Sequence, residues 1–256
     1  MTLVMLALCG ALAHAEPQAE FDAGVAAERS GDYAAAEQHF RAALDQGGHD
    51  PAVYHGLGEA LYREGHLGLA IAAWRRGVEL APHDGDLVAN LDLANKGTKD
   101  RLDPPAQDVG PFFWQRSLSL GQSATLASGL WTLALALLLL RRATLGRAGR
   151  LARLAAGARV AILPAMALGL LLTLSTAMAL RSAPGAVVIV PQVSARSTLG
   201  PDGLDLFLLH EGALVRVTES TDSAAQVQLP DGRKGWIAWS ALASTDPAAP
   251  FPASVL

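Results

Sequence analysis

The sequence predicts a multi-domain chain of mixed α, membrane and β parts: α-helical hairpins, a transmembrane two-helix hairpin and a small β-barrel. Three observations predict it. Residues Gln18–Ala94 repeat themselves with a period of 34, the runs 118–140 and 160–180 are apolar and uncharged, and the pattern after Arg181 changes to short β-rich runs. The 256-residue chain is 51% hydrophobic and 17% charged, more apolar than an ordinary soluble domain.

Charge divides along the same lines. Residues 16–100 hold 15 acidic and 7 basic side chains, 101–181 hold 2 and 9, and 182–256 hold 7 and 4. Such asymmetry predicts different surroundings for the three parts. The only cysteine is Cys9, which removes a disulfide framework, a thiolate metal site and a cysteine nucleophile from the rest of the chain.

The first element is an apolar run, Leu3–Leu12, followed by Ala13-His14-Ala15. It reads as a secretory signal peptide over 1–15, cleaved after Ala15, although a basic leading region is missing.

The second element is the repeat. Gly24 matches Gly58, Gly31 matches Gly65, Ala36 matches Ala70, Phe40 matches Trp74, and Pro82 closes the second unit. Glycines and alanines at these spacings let two helices approach closely, and the aromatic fills the gap between them. These residues resemble the tetratricopeptide repeat (TPR), a 34-residue helix–turn–helix unit. The expected domain is 16–98, with repeats 17–50 and 51–84 and a capping helix 85–97 in which Asp92 takes the place of Gly24 and Gly58. The resemblance implies a partner-binding concave face built from the first helices, here Glu28, Arg29, His55, Glu59, Tyr62 and Arg63. His49-Asp50 and His83-Asp84-Gly85-Asp86 fall at the helix junctions, where aspartate caps helices, so no metal or cofactor is expected.

A juxtamembrane linker, 99–117, carries Phe112-Phe113-Trp114, an interfacial aromatic anchor. The runs 118–140 and 160–180 are each near the roughly 20 residues that a spanning helix needs. Between them, 141–159 holds Arg141, Arg142, Arg147, Arg150, Arg153 and Arg159 and no acidic residue. Arg147, Arg150 and Arg153 recur every three residues, a pattern that also suits a nucleic-acid patch. The flanking spans turn the block into a topology signal instead: a short basic loop stays cytoplasmic, next to anionic lipid headgroups, and both flanks face outward. Nucleic acid is not expected as a partner. Ala165 and Gly169 form a small-xxx-small pair for close packing of the two spans.

The last element, 181–244, shows β-rich runs at 186–190, 206–209, 213–218 and 226–229. The turn Pro230-Asp231-Gly232 and the run Gly235-Trp236-Ile237-Ala238-Trp239 follow. Ala195-Arg196-Ser197, Leu209-x-Glu211-Gly212 and Asp231-Gly232-Arg233-x-Gly235-Trp236-Ile237 resemble the bacterial SH3 (SH3b) domain. Of its two candidate ligand aromatics, Trp236 is expected in the core and Trp239 at the surface. A flexible tail is expected over 245–256.

The order of these parts, with Phe112-Phe113-Trp114-Gln115-Arg116 before the first span, resembles the BatE-type family of the Bacteroides aerotolerance operon. That resemblance implies a two-pass protein of the bacterial inner (cytoplasmic) membrane with both end domains periplasmic. It implies a non-enzymatic scaffold in an envelope stress complex. Its partners would be membrane lipid, von Willebrand factor A membrane proteins and, indirectly, a MoxR-type ATPase. The alternative is a peptidoglycan-associated envelope protein or hydrolase accessory that binds the wall through the SH3b domain. No G-x-S-x-G or H-E-x-x-H motif supports an enzyme.

Overall fold

The computed structural model describes residues 15–100, 117–144, 150–181, 185–200 and 202–252. The expected leader, apart from Ala15, lies outside the described residues, as do Phe112-Phe113-Trp114 and Arg147. The chain forms two compact units, 1–108 with 183–256, and 109–182.

The first unit begins with five helices: α1 (Ala15–Ser30), α2 (Tyr33–Asp45), α3 (Pro51–Arg63), α4 (Leu67–Leu80) and α5 (Gly85–Gly97). Aspartates start three of them. The Asp32 carboxylate accepts from Ala35 N, Asp50 from Ala52 N ahead of Pro51, and Asp84 from both Asp86 N and Leu87 N. Each satisfies N–H groups that the helix itself leaves unpaired. Gly31 and Gly65, with φ of 80° and 89°, turn the chain within each hairpin.

Packing between helices follows the repeat. The Phe40 ring lies against Gly24 and also against Gly56, and the Trp74 indole lies against Gly58. A Cβ on Gly58 would come within 2.3 Å of Trp74 Nε1, so only glycine admits the indole there. Phe40, Tyr54, Leu57, Leu61, Ala36 and Ala70 are fully buried around these contacts. Burying a side chain as large as Leu or Phe stabilises by about 1.5–3 kcal/mol. Pro82 follows the end of α4.

A seven-stranded antiparallel sheet completes this unit: β1 (Gly185–Val188), β2 (Gln192–Arg196), β3 (Asp205–His210), β4 (Leu214–Ser220), β5 (Ala224–Gln228), β6 (Lys234–Ala238) and β7 (Leu242–Ser244). The order is β3-β2-β6-β5-β4-β1-β7, with a 3₁₀ turn at Trp239–Ala241 between β6 and β7. Val188, Ala195, Leu209, Val215, Val227 and Ile237 form its core. Both tryptophans are half-buried. Along β6, Gly235 and Ile237 point inward, so the pleat turns Trp236 outward opposite Gln226 and Arg196. Trp239, in the 3₁₀ turn, packs on the core and donates its indole N–H to Thr221 O at 3.1 Å.

The sheet is seated on the repeat rather than separate from it. Val187 and Ile189 join the helical core beside Ile71. His66 at the start of α4 makes no side-chain cap, and Glu211 of the sheet accepts from Gly68 N at 2.8 Å in its place. Gly212, with φ of 84°, lies against Thr98 and Ile71 at a point where a Cβ would meet Thr98 Cγ2 at 2.5 Å. Asp100, expected in a linker, accepts from His210 N at 2.6 Å and lies 3.0 Å from His210 Nδ1.

Residues 245–252, expected as part of a flexible tail, are also held on the helices. Arg76 is 1% exposed, and its guanidinium donates to Ser244 O (2.9 Å), Ala249 O (2.7 Å) and Pro250 O (3.2 Å). Tyr54 Oη donates to Pro247 O at 3.0 Å, and Arg41 Nη1 to Pro252 O. Four buried or half-buried donors thus pin a segment that composition alone describes as loose.

The second unit is a pair of long helices, α6 (Leu120–Thr144) and α7 (Arg150–Arg181). Both extend into the expected 141–159 loop. Arg141 and Arg142 end α6, and the backbone of Arg150, Arg153 and Arg159 is already helical. Arginine, alanine and leucine are strong helix formers, and no proline interrupts the block. Small side chains line much of the seam, Ser123, Ala127 and Ala134 on α6 and Ala165, Gly169 and Ser175 on α7, with Ile162 and Leu172 buried among them. Trp131 stands 3.4 Å from the position of a Gly169 Cβ and donates to Thr173 Oγ1 at 3.1 Å. Leucines 126, 133, 135, 139, 163, 170 and 174 face outward. Both helices are long and apolar enough to cross a membrane.

Candidate protein-interaction surface

The first helices of the repeat, α1, α3 and α5, present the side chains that the sequence marks as a partner-binding face. On α1, Glu28 is half-buried and Arg29 exposed; on α3, His55 and Glu59 are half-buried while Tyr62 and Arg63 are exposed. Residues 28 and 29 stand one repeat before 62 and 63, so the superhelix brings them side by side.

The charges act on one another. Burial pushes the Glu28 carboxyl above its ordinary value, the Glu59 carboxylate adds to that, and His55, Arg29 and Arg63 oppose it. Arg63 Nε donates to Glu59 Oε1 at 2.9 Å, a bond that raises the guanidinium further. The same guanidinium lies 5.7 Å above the Tyr33 ring. Five of the six expected residues therefore form one electrostatic cluster. The sixth, Tyr62, leans on Trp74 with ring centroids 5.7 Å apart and keeps 38% of its surface.

Two residues join this face that the sequence reading missed. Asn90 Nδ2 lies 3.2 Å from His55 Nε2 and ties α5 to α3. Leu93 is 56% exposed at the α5 position one repeat after Glu59. The 34-residue register would have found both, since it places 89–97 beside 55–63. The result is a surface of two carboxylates, two guanidiniums, an imidazole, a tyrosine and a leucine. No nucleophile with an adjacent base appears among them.

The signature residues behind the face have a different task. Gly24, Ala36, Phe40, Gly58, Ala70 and Trp74 are buried and fix the spacing of the helices, with Trp74 Nε1 also donating to His55 O at 3.3 Å. They position the face from behind. Asp50 and Asp84, at the helix junctions, serve as caps. Trp236 and Trp239 stand on the sheet, apart from this cluster in sequence and in bonding.

Residues 27–94 match the tetratricopeptide repeat family. The match runs from the end of α1 through most of α5, so the helical hairpins form a TPR region, and TPR repeats point to a protein partner. Neither a curated protein nor a solved structure matches the chain.

Proposed function

We propose that this chain is a non-enzymatic membrane-anchored scaffold that captures a partner protein on the first-helix face of its TPR region. The observation that carries this reading is the convergence of Glu28, Arg29, His55, Glu59 and Arg63, beside exposed Tyr62 and Leu93, on a face that the sheet leaves open. The outward leucines of α6 and α7 over a seam rich in small and hydroxyl side chains support insertion into lipid, because such helices associate by close packing. Arg141 and Arg142 at the end of α6 support a cytoplasmic turn between the spans, with the TPR region and the sheet both periplasmic.

The sheet supports an SH3b-like barrel through its strand order and the 3₁₀ turn before its last strand. A BatE-type envelope stress complex, with von Willebrand factor A proteins and a MoxR-type ATPase, is the setting that the order of parts suggests. The test is co-purification from mild detergent. Wild-type protein should retain a membrane partner that Glu59→Arg/Arg63→Glu loses. Equal recovery by both forms contradicts the reading. Impermeant thiol labelling of a cysteine placed at 145–149 from outside the cell would contradict the topology.

A further inference from the structure

The second-helix side of the repeat holds a segment of the chain's own, Asp246-Pro247-Ala248-Ala249-Pro250-Phe251-Pro252. Three of these seven residues are prolines, which offer carbonyls and no N–H. The helices answer with donors alone. Tyr54 takes the carbonyl of Pro247, Arg76 those of Ala249 and Pro250, and Arg41 that of Pro252. The Phe251 ring lies between the guanidiniums of Arg41 and Arg76, 5.1 and 4.9 Å from them. Donors matched to a proline-rich backbone, with arginines around one aromatic ring, are the chemistry of peptide recognition.

Two features show that the occupant does not exhaust the site. A cavity of about 220 Å³ stays open among Leu44, His49, Tyr54 and Arg76, beside the small side chains of Ala248 and Ala249. Among the described residues, Arg41 Nη2 is buried without a hydrogen-bond partner. A ligand with a larger side chain in place of Ala248 or Ala249 fills the first, and an added acceptor satisfies the second.

We infer that Arg41, Tyr54 and Arg76 form a second peptide-binding site for an extended Pro-Phe-Pro segment of a partner protein, in competition with residues 246–252 of this chain. The site lies on the other side of the repeat from the proposed scaffold face, and its failure leaves that face untouched. A tethered segment competes at an effective concentration in the millimolar range. A free partner segment therefore gains access when the internal one is weakened or when its own side chains fill the cavity.

The experiment is fluorescence anisotropy of a labelled DPAAPFP peptide with the full chain in detergent. Phe251→Ala should bind the peptide about tenfold or more tightly than wild type, because the tethered competitor is weakened. Adding Arg76→Gln to Phe251→Ala should abolish binding, and DPLAPFP should bind more tightly than DPAAPFP. Equal, weak binding by wild type and Phe251→Ala overturns the inference. A photocrosslink keeps it falsifiable should Phe251→Ala not fold. Wild-type chain and a peptide with benzoylphenylalanine in place of its Phe should give adducts near Arg41, Tyr54 and Arg76. Adducts confined to other segments overturn it.

Discussion

The two sides of the TPR region handle charge in opposite ways. On the first-helix side, Arg29 and Arg63 are exposed and Glu59 half-buried, and the Arg63–Glu59 bond stands one helical turn apart in water. On the second-helix side, Arg76 is 1% exposed and bonded to three backbone carbonyls. Exposed pairs of the first kind are worth about 0–1 kcal/mol. A buried cation bonded to carbonyls is different, because removing it strands polar groups away from water. Burial thus commits one side to holding the chain's own residues 246–252, while the charges of the other side stay uncovered.

The largest effect expected from this contrast comes from Arg76→Ala. Hydrogen bonds to a charged group contribute about 1.5–3 kcal/mol each, so the loss should be about 3 kcal/mol or more. Hydrogen exchange of the α4 amides under urea should show it, together with faster exchange in β7. Gly58→Ala should cost about 2 kcal/mol by the same measurement, since the Trp74 indole must move to admit the methyl group. Asp84→Ala should cost about 1 kcal/mol, the usual worth of an N-cap, and should loosen α5 in particular. On the open side, Glu59→Arg/Arg63→Glu should change stability by no more than about 0.5 kcal/mol. A loss comparable to that of Arg76→Ala would break the contrast.

The smallest effect is a dependence on pH. Glu64, at the end of α3, is raised from 4.5 to about 7, first by a hydrogen bond with Glu37 and then by burial. Glu37 in turn accepts from Arg41 Nε at 2.7 Å, so the pair adjoins the site that holds Phe251. A raised carboxyl binds its proton more tightly in the folded state. Its contribution is therefore complete below about pH 4.5 and is lost as pH rises through about 7. Glu64→Gln should flatten stability across that interval, as read from urea midpoints at successive pH values. A slope that persists unchanged would remove Glu64 as its source.

Much of the helical part was legible because its signal is local and repeated. Gly24, Gly58, Phe40 and Trp74 recur at 34 residues, and each aromatic fills the space its glycine leaves. The same register identified the charged face, and followed one step further it reaches Asn90 and Leu93. Strands β1 and β3 to β6 were legible from their β-formers and turns. The short β2 and β7 were not, since QVSAR and LAS have little apolar pattern of their own. The seating of the sheet on α4 was hidden for another reason. Arg76 and Ala249 are 173 residues apart, and an arginine on a helix reads as a solvated side chain until its carbonyl partners are seen. The half-burial of both Trp236 and Trp239 was not legible, because the strand reading set no register, and a shift of one residue reverses which side chains face the core.

The open first-helix face is proposed to hold a partner protein. Benzoylphenylalanine placed at Tyr62 of the full chain, activated in intact membranes, tests it most directly. The expected result is a defined protein adduct that disappears when Glu59→Arg/Arg63→Glu is introduced into the same chain. An adduct that survives the charge reversal, or crosslinks to lipid alone, would contradict the account.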